Sequence, residues 1–403
     1  MIPVSAAIQI VRDKTRQLDS ESVALAEGLG RVLSEDIIAD TDLPPFNRSQ
    51  MDGYAVRAED VSNIPTRLRI AGESVAGQGW HQEMNAGEAV RIMTGAPVPA
   101  GADSVQQVEL TREVDEGKVV EILEPVSMGR SIVKRGNEIK AGDTVLCAGE
   151  QINAAMIAVL ASFGYANVQV GARPRVTVLA TGSELVAVDK KPGVDQIRDS
   201  NNYSIRAYAR LAGANVELLP LAGDELGLLK NQIAAAAEGS DMVVTSGGVS
   251  MGVYDFTKTA LRDLGAEIFF ERVALRPGKP TVFARFRNGA LAFGLPGNPV
   301  SVSVTFNLFA RTSLQLMQRA SEPSMSEEWA VLAKTIKGSA DRESYLPARL
   351  TTSEQGLLLV EPLKWGGSSD FVAFARATAL IIIPAGAKTI DEQERVKVVR
   401  LPG

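Results

Sequence analysis

RVTVLATGSE, residues 175–184, begins as an apolar run of strand type and ends in a loop of Thr181, Gly182, Ser183 and Glu184. The pattern recurs downstream. VELLPL (216–221) runs into Ala222, Gly223 and Asp224, and ALAFGL (290–295) runs into Pro296-Gly297-Asn298-Pro299-Val300-Ser301. DMVV (241–244) runs into Thr245-Ser246-Gly247-Gly248-Val249-Ser250-Met251-Gly252, with Asp255 just inside the next helix. Helical periodicity fills the intervals at 203–211, 226–237, 256–264 and 300–317, and EIFFERVAL (267–275) and PTVFARF (280–286) read as further strands. Buried strands alternating with amphipathic helices predict an open α/β sheet with helices on both faces.

On the N-terminal side, 4–18 and 153–163 read as helices and 22–40 as two short strands around Gly28 and Gly30. From 43 to about 134 the segments RLRIAGESV, EAVRIM, DSVQQVEL and KVVEILEPV are short, β-rich and punctuated by Gly and Pro, as in a separate inserted β-rich domain. After about residue 320 the strands WAVLAKTI, SYLPARLT, LLLVEPL, ALIIIPA and RVKVVRL predict a small C-terminal barrel or sandwich. The division expected is a discontinuous N-terminal domain (1–45 and 135–172), an inserted β-rich domain (46–134), the α/β domain (173–320) and the C-terminal β domain (321–403).

Composition narrows the chemistry. The chain has 403 residues, 45% hydrophobic and 22% charged, with a net charge of −6. That balance is ordinary for a globular protein and favours neither nucleic acid nor an anionic membrane as partner. No apolar run reaches the roughly 18 residues that span a bilayer, and the N-terminus lacks signal-peptide character, so a cytoplasmic location is expected. One histidine, His81, and one cysteine, Cys147, leave no zinc cluster and no disulfide, and no Ser/His/Asp triad unless His81 is its base. His81 reads as a surface loop residue and Cys147 as packing. Catalysis must rest on carboxylates, Lys and Arg, hydroxyls and backbone amides, with or without a hard metal ion.

Open α/β sheets bind ligands beyond the carboxyl ends of their strands, where these four loops fall. Gly247 and Gly248 allow positive φ and close backbone approach, and amides there suit an oxyanion. A plain turn is the competing reading. Asn298 followed by Pro299 marks a helix start whose free amides can also hold an anion. Glu184, Asp224 and Asp255 would crowd carboxylates into one crevice, which calls for an oxygen-preferring cation such as Mg2+; as single residues they also read as helix caps. Arg276-Pro277-Gly278-Lys279-Pro280 sets two cations around a tight turn, for an anionic ligand or merely for solvent. Residues 42–55 form a long irregular stretch that is either functional or a linker, and Phe46, Met51 and Tyr54 argue against disorder.

DLPPFNRSQMDGYAV (42–56), RIMTGAPVPAGADSV (91–105), VKRGNEIKAGD (133–143), LATGSEL (179–185), SDMVVTSGGVSMGVYDF (240–256), LRPGKP (275–280) and GLPGNPVS (294–301) together resemble the molybdopterin molybdenumtransferase family, which includes bacterial MoeA and the C-terminal domain of gephyrin. The segments span most of the chain and keep the family's order. The resemblance implies a central sheet of the molybdopterin-binding type. It implies transfer of molybdenum from molybdate to adenylylated molybdopterin, with release of AMP, supported by Mg2+, in the last step of molybdenum cofactor synthesis. It also implies an elongated homodimer with the discontinuous N-terminal domain as its linker and dimerisation domain, and hand-over of substrate from the molybdopterin adenylyltransferase.

By the same resemblance, Glu184, Asp224 and Asp255 belong to the pterin-nucleotide crevice, with Asp224 and Asp255 on the metal. Gly247, Gly248, Ser250, Pro296 and Pro299 contact substrate. Asp52 and Thr94 line the crevice of the other protomer. Arg276, Lys279, Ser301, Arg349 and Ser369 fall where molybdate is held; Arg276 stands where many members have Lys, and a planar fork is no equivalent of a point charge. Two other readings compete. An adenylyltransferase-like enzyme would not need the 42–56 segment or the C-terminal β domain. A gephyrin-like scaffold without catalysis would not need Glu184, Asp224, Asp255 and Lys279 intact.

Overall fold

The structure, a computed structural model, describes residues 1–221, 223, 225–248, 256–338 and 341–402. The chain divides into two compact units, residues 36–147 with 158–166 and residues 1–35 with 148–157 and 167–403. Helix α1 (Val4–Lys14) opens the larger unit and buries Val4, Ala7 and Val11, an i, i+3, i+7 stripe.

The smaller unit is built on β1 (Gly53–Val56), β2 (Thr66–Ser74), β3 (Glu88–Ile92), β4 (Ser104–Gln107), β5 (Thr111–Val114) and β6 (Val119–Ile122), in the order β4-β1-β3-β2-β6-β5. The sheet is buried on both sides. Tyr54, Val56, Leu68, Val120 and Ile122 share one cluster, while Ala55, Val90, Ile92 and Val105 share another. The alternation of Tyr54 and Val56 against Ala55 is the period-two pattern of a strand. The 42–56 stretch is no disordered linker. The Asp42 carboxylate accepts the Ala141 N–H at 2.9 Å, Asn47 Oδ1 accepts the Arg135 N–H at 2.9 Å, and the Ser49 N–H donates to the Ala96 carbonyl at 3.0 Å. Cys147 is exposed rather than packed, because the strand before it, Thr144–Leu146, is itself open to solvent.

The larger unit contains the α/β sheet: β7 (Arg175–Ala180), α2 (Asn201–Leu211), β8 (Asn215–Leu218), α3 (Leu226–Gly239), β9 (Met242–Ser246), α4 (Phe256–Asp263), β10 (Glu267–Phe270), β11 (Val282–Arg285), β12 (Leu291–Leu295) and α5, residues 299–317. The order is β8-β7-β9-β12-β11-β10, parallel from β8 to β12 and antiparallel beyond. Helices cover both faces, as the alternation of strands and helices predicts. Val176, Val178, Met242, Val244, Phe283 and Phe293 face α2 and α5, whereas Val243, Val282, Ala284 and Ala292 face α3 and α4. EIFFERVAL is two strands, not one: Leu275–Arg276 leaves the sheet and pairs in parallel with Glu343–Ser344. Helix α5 carries a π-helical turn at Phe306–Ala310, where Phe306 stacks on Tyr208 at 5.8 Å.

The C-terminal strands β13 (Glu327–Leu332), β14 (Glu343–Thr352), β15 (Leu358–Pro362), β16 (Ala379–Ile383) and β17 (Arg395–Arg400) close into a five-stranded barrel. Closure depends on the ten residues of β14, whose first half pairs with β16 and whose second half pairs with β15. Ala330, Leu332, Ala348, Val360, Ile381, Val396 and Val398 fill the interior. A closed barrel exposes no sheet edge, which resolves the barrel-or-sandwich choice.

Candidate functional site

Register decides where the loops begin. Ala180 pairs with Ser246, and Ser246 with Leu295, so β7, β9 and β12 end at one level. Thr181, Gly247 and Pro296 therefore leave the sheet side by side. They line a cleft of about 810 Å³ together with Gly182, Glu184, Leu185, Pro192, residues 196–201, Ser246, Gly248, Pro280, Gly297, Asn298, Pro299, Ser369 and Phe371.

The glycines at the floor are required. Gly247 and Gly248 have φ of 90° and 62°. A Cβ at Gly247 would lie 2.6 Å from the Thr181 carbonyl oxygen, and one at Gly248 2.7 Å from the Thr257 hydroxyl. The Gly247 N–H donates to the Leu295 carbonyl at 3.1 Å, and the Thr257 hydroxyl donates to the Gly247 carbonyl at 3.2 Å. The turn is thus tied to the neighbouring strand and to the following helix.

Asn298 departs from expectation. It stands at the N-cap of α5 with Pro299 at the first helical position, but its side chain makes no cap bond. Instead its Nδ2 donates to Ser368 Oγ at 2.8 Å, and the Ser368 carbonyl accepts the Val300 N–H at 3.0 Å. One amide expected to be free at that helix end is therefore occupied by the 366–371 loop, which carries Ser369 to the cleft.

One wall comes from a segment whose role is not visible in its residue types. Asn201, in the first turn of α2, donates from Nδ2 to Ser246 Oγ and to the Gly297 carbonyl, both at 2.7 Å. It joins the loops after β9 and β12. Its Oδ1 is buried without a partner among the described residues, a cost of about 1–3 kcal/mol that is tolerated where geometry matters more than stability. Asp199, on the same wall, is buried, and burial pushes its carboxyl above the usual carboxylate range, against the opposing pull of hydrogen bonds from Asn202 and Asn201. Asp-Ser-Asn before a helix reads as capping, so the sequence signal for both residues is weak.

The structure brings Glu184, Gly247, Gly248, Pro296, Pro299 and Ser369 together along the cleft. It does not bring Arg276, Lys279, Ser301 or Arg349 to that lining. Arg276 is exposed at the strand beside the barrel. Lys279 is half-buried one residue before Pro280, its carbonyl accepting the N–H groups of Val273 and Thr281. Ser301 is buried inside the first turn of α5. Arg349 is exposed on β14, opposite Glu361. Asp52 and Thr94 lie in the smaller unit, where Asp52 Oδ1 accepts the Thr94 N–H at 2.6 Å and the Thr94 hydroxyl at 2.8 Å. Those two bonds hold the Asp52 carboxyl below its ordinary 3.8. Asp224, Ser250 and Asp255 lie outside the described residues.

Among the described residues no group of three metal-ligating side chains gathers. The described cleft lining nonetheless offers oxygen atoms to a metal, among them those of Thr181, Glu184, Ser200, Ser246 and Ser369, and neither His nor Cys. That donor chemistry suits a hard cation. The geometry gives an anion close approach to the backbone at the glycine turn, with a carboxylate and hydroxyls beside it.

Comparison with known proteins agrees with this geometry. Residues 2–164 match the MoeA N-terminal region (domain I and II), 177–316 the probable molybdopterin binding domain, and 330–401 the MoeA C-terminal region (domain IV). The chain is 36% identical over 404 residues to the molybdopterin molybdenumtransferase of Bacillus subtilis (strain 168), covering 99% of this chain and 94% of that one. It is 35% identical over 402 residues to that of Staphylococcus aureus (strain N315), covering 99% and 95%. Two crystal structures of Pyrococcus MoeA proteins cover 100% of both chains, one at TM-score 0.86 with 27% identity and one at TM-score 0.82 with 31% identity. No helix among the described residues is long and apolar enough to cross a membrane.

Proposed function

The chain belongs to the molybdopterin molybdenumtransferase family, and on that premise we propose that its strand-end cleft binds adenylylated molybdopterin and molybdate and transfers molybdenum to the pterin dithiolene, releasing AMP. The observation that carries this reading is the common level of Ala180, Ser246 and Leu295, which sets three polar loops around one cleft. The anhydride phosphates lie over the Gly247–Gly248 turn, where the absence of side chains lets the anion approach the backbone beside the start of α4. Glu184, Pro296 and Pro299 frame the nucleotide, and Ser250 is assigned to the same substrate.

Asp224 and Asp255 would hold Mg2+, which would neutralise charge and polarise phosphate oxygens when bound. The carboxylate and hydroxyl oxygens of the described lining, with neither His nor Cys, support a hard cation there. Arg276, Lys279, Ser301, Arg349 and Ser369 serve molybdate; Ser369 is at the cleft, and the RPGKP turn reaches it through Pro280. Asp52 and Thr94 serve the cleft of a second copy in a homodimer with shared sites, and the adenylyltransferase hands over the substrate in the cytoplasm. We retain the four-domain division at 1–45 with 135–172, 46–134, 173–320 and 321–403.

The test is reconstitution. Incubation with adenylylated molybdopterin, molybdate and Mg2+ should yield AMP and metal-bound pterin in equal amounts, and excess chelator should suppress both. AMP without metal-bound pterin would reduce the protein to a hydrolase; neither product would reject the reading.

A further inference from the structure

Asp199 is a buried acid that the chemistry above leaves unused. It is 5% exposed and lines the cleft. Its Oδ1 accepts the Asn202 N–H at 3.1 Å, an ordinary cap for α2. The groups that act on its carboxyl are Asn201 and Asn202, with no cation among them. The neighbouring Arg198 is engaged elsewhere, its Nε donating to the Lys190 carbonyl at 2.9 Å.

A cap alone does not need this residue. Asn or Ser caps equally well without burying a charge, and a buried carboxylate without a counter-ion is expensive. An ionised carboxyl offers about four lone-pair sites, and the neutral Asn201 and Asn202 donors that draw on them do not balance its charge. Beside it the cleft is lined by Leu185, Pro192 and Ile197, an apolar wall held by the short ladder of Leu185–Val186 with Ile197–Arg198. An apolar wall beside a buried acceptor fits a flat heteroaromatic ring that presents N–H groups at its edge. The reading of the cleft as a molybdopterin-nucleotide site offers two such rings. The aminopyrimidinone edge of a pterin presents two adjacent donors, N3–H and the 2-amino group, which match a carboxylate fork. The edge of adenine presents a donor beside an acceptor, and that acceptor would repel an ionised carboxylate.

We propose that Asp199 is the recognition residue for the pterin ring of the substrate, accepting its two adjacent N–H donors while also capping α2. This rests on the functional reading above. Charge-assisted pairing favours the ionised form and so opposes the upward push that burial exerts on this carboxyl.

The experiment titrates molybdopterin and AMP separately into the full-length protein and into Asp199→Asn and Asp199→Ser, with thermal unfolding of each. Both variants keep an oxygen for the Asn202 N–H. The expected result is a molybdopterin Kd raised about tenfold to a hundredfold, the worth of a hydrogen bond to a charged group, with an unchanged AMP Kd. Unchanged molybdopterin affinity overturns the proposal, as does equal loss of both ligands or a raised Mg2+ requirement with pterin binding intact. If Asp199→Asn does not fold, Asp199→Ser decides. If the unaltered protein binds neither ligand, the functional reading itself falls and this inference with it. If it binds both and only the variants fail to discriminate, the inference alone falls.

Discussion

Asp52 and Thr94 are 42 residues apart, yet two hydrogen bonds from Thr94 converge on one carboxylate oxygen of Asp52. Both bonds favour the charged form, so the Asp52 pKa lies below 3.8, with the backbone N–H as the larger cause and the hydroxyl the smaller. The sign follows. A depressed carboxyl contributes stability above its unfolded pKa and loses it as pH falls through the folded value. Thr94→Ala removes the hydroxyl and leaves the N–H, so the Asp52 pKa should rise part of the way toward 3.8. Carboxyl-detected NMR titration would show the shift; an unmoved Asp52 would mean the side-chain bond does not persist in solution. Residue types made Asp52 and Thr94 legible only through the motifs they sit in, since an exposed Asp and an exposed Thr carry no signal of their own. Asn201 and Asp199 were hidden for the opposite reason. Asp-Ser-Asn-Asn before a helix has an adequate local explanation in capping, and only the fold shows that Asn201 reaches Ser246 and Gly297 instead.

At the scale of elements, the junction between β9 and its loop has the least freedom. Gly247→Ala would place a side chain at φ 90° and 2.6 Å from the Thr181 carbonyl oxygen. The strand cannot yield easily, because the Gly247 N–H is bonded to Leu295 and the strand itself is buried on both sides. A loss of about 1–3 kcal/mol is expected, together with loss of turnover beyond what partial unfolding explains. Urea unfolding and AMP release measured on the folded fraction separate the two; full specific activity in that fraction would show that the turn does not touch substrate. The elements themselves were largely readable, because period-two strands, period-3.6 helices and Gly-Gly and Pro-Gly-Asn-Pro punctuation are local signals. Barrel closure was not readable. It depends on β14 pairing with different partners along its two halves, a long-range choice that the pattern of one strand does not encode. The occupied helix end at Val300 was missed for the same reason, since its partner Ser368 is 68 positions away in the chain.

At the scale of the whole molecule, the residues proposed for one reaction fall in two units of the chain. Glu184, Gly247, Gly248 and Pro299 belong to the larger, Asp52 and Thr94 to the smaller. Asp52 is exposed and braced by Thr94, and polar groups fixed at a surface turn are costly to order unless something binds there. In the proposed homodimer that something is the substrate in the partner's cleft, and two-fold symmetry then yields two equivalent composite sites. The alternative is that both sets serve one cleft within a single chain, and mixing distinguishes them. Asp52→Ala and Asp255→Asn variants, each inactive alone, are combined under conditions that exchange subunits. If sites are composite across protomers, each heterodimer concentrates both lesions in one site and leaves the other whole, so a statistical mixture should regain about a quarter of normal activity, half its dimers being mixed with one of two sites intact. If Asp52 and Asp255 of the same chain share a site, every site in the heterodimer carries one lesion and activity stays at the level of the parents. Native mass spectrometry of differently tagged chains must show the mixed dimer, so that silence in the assay reports the architecture of the site rather than a failure to exchange.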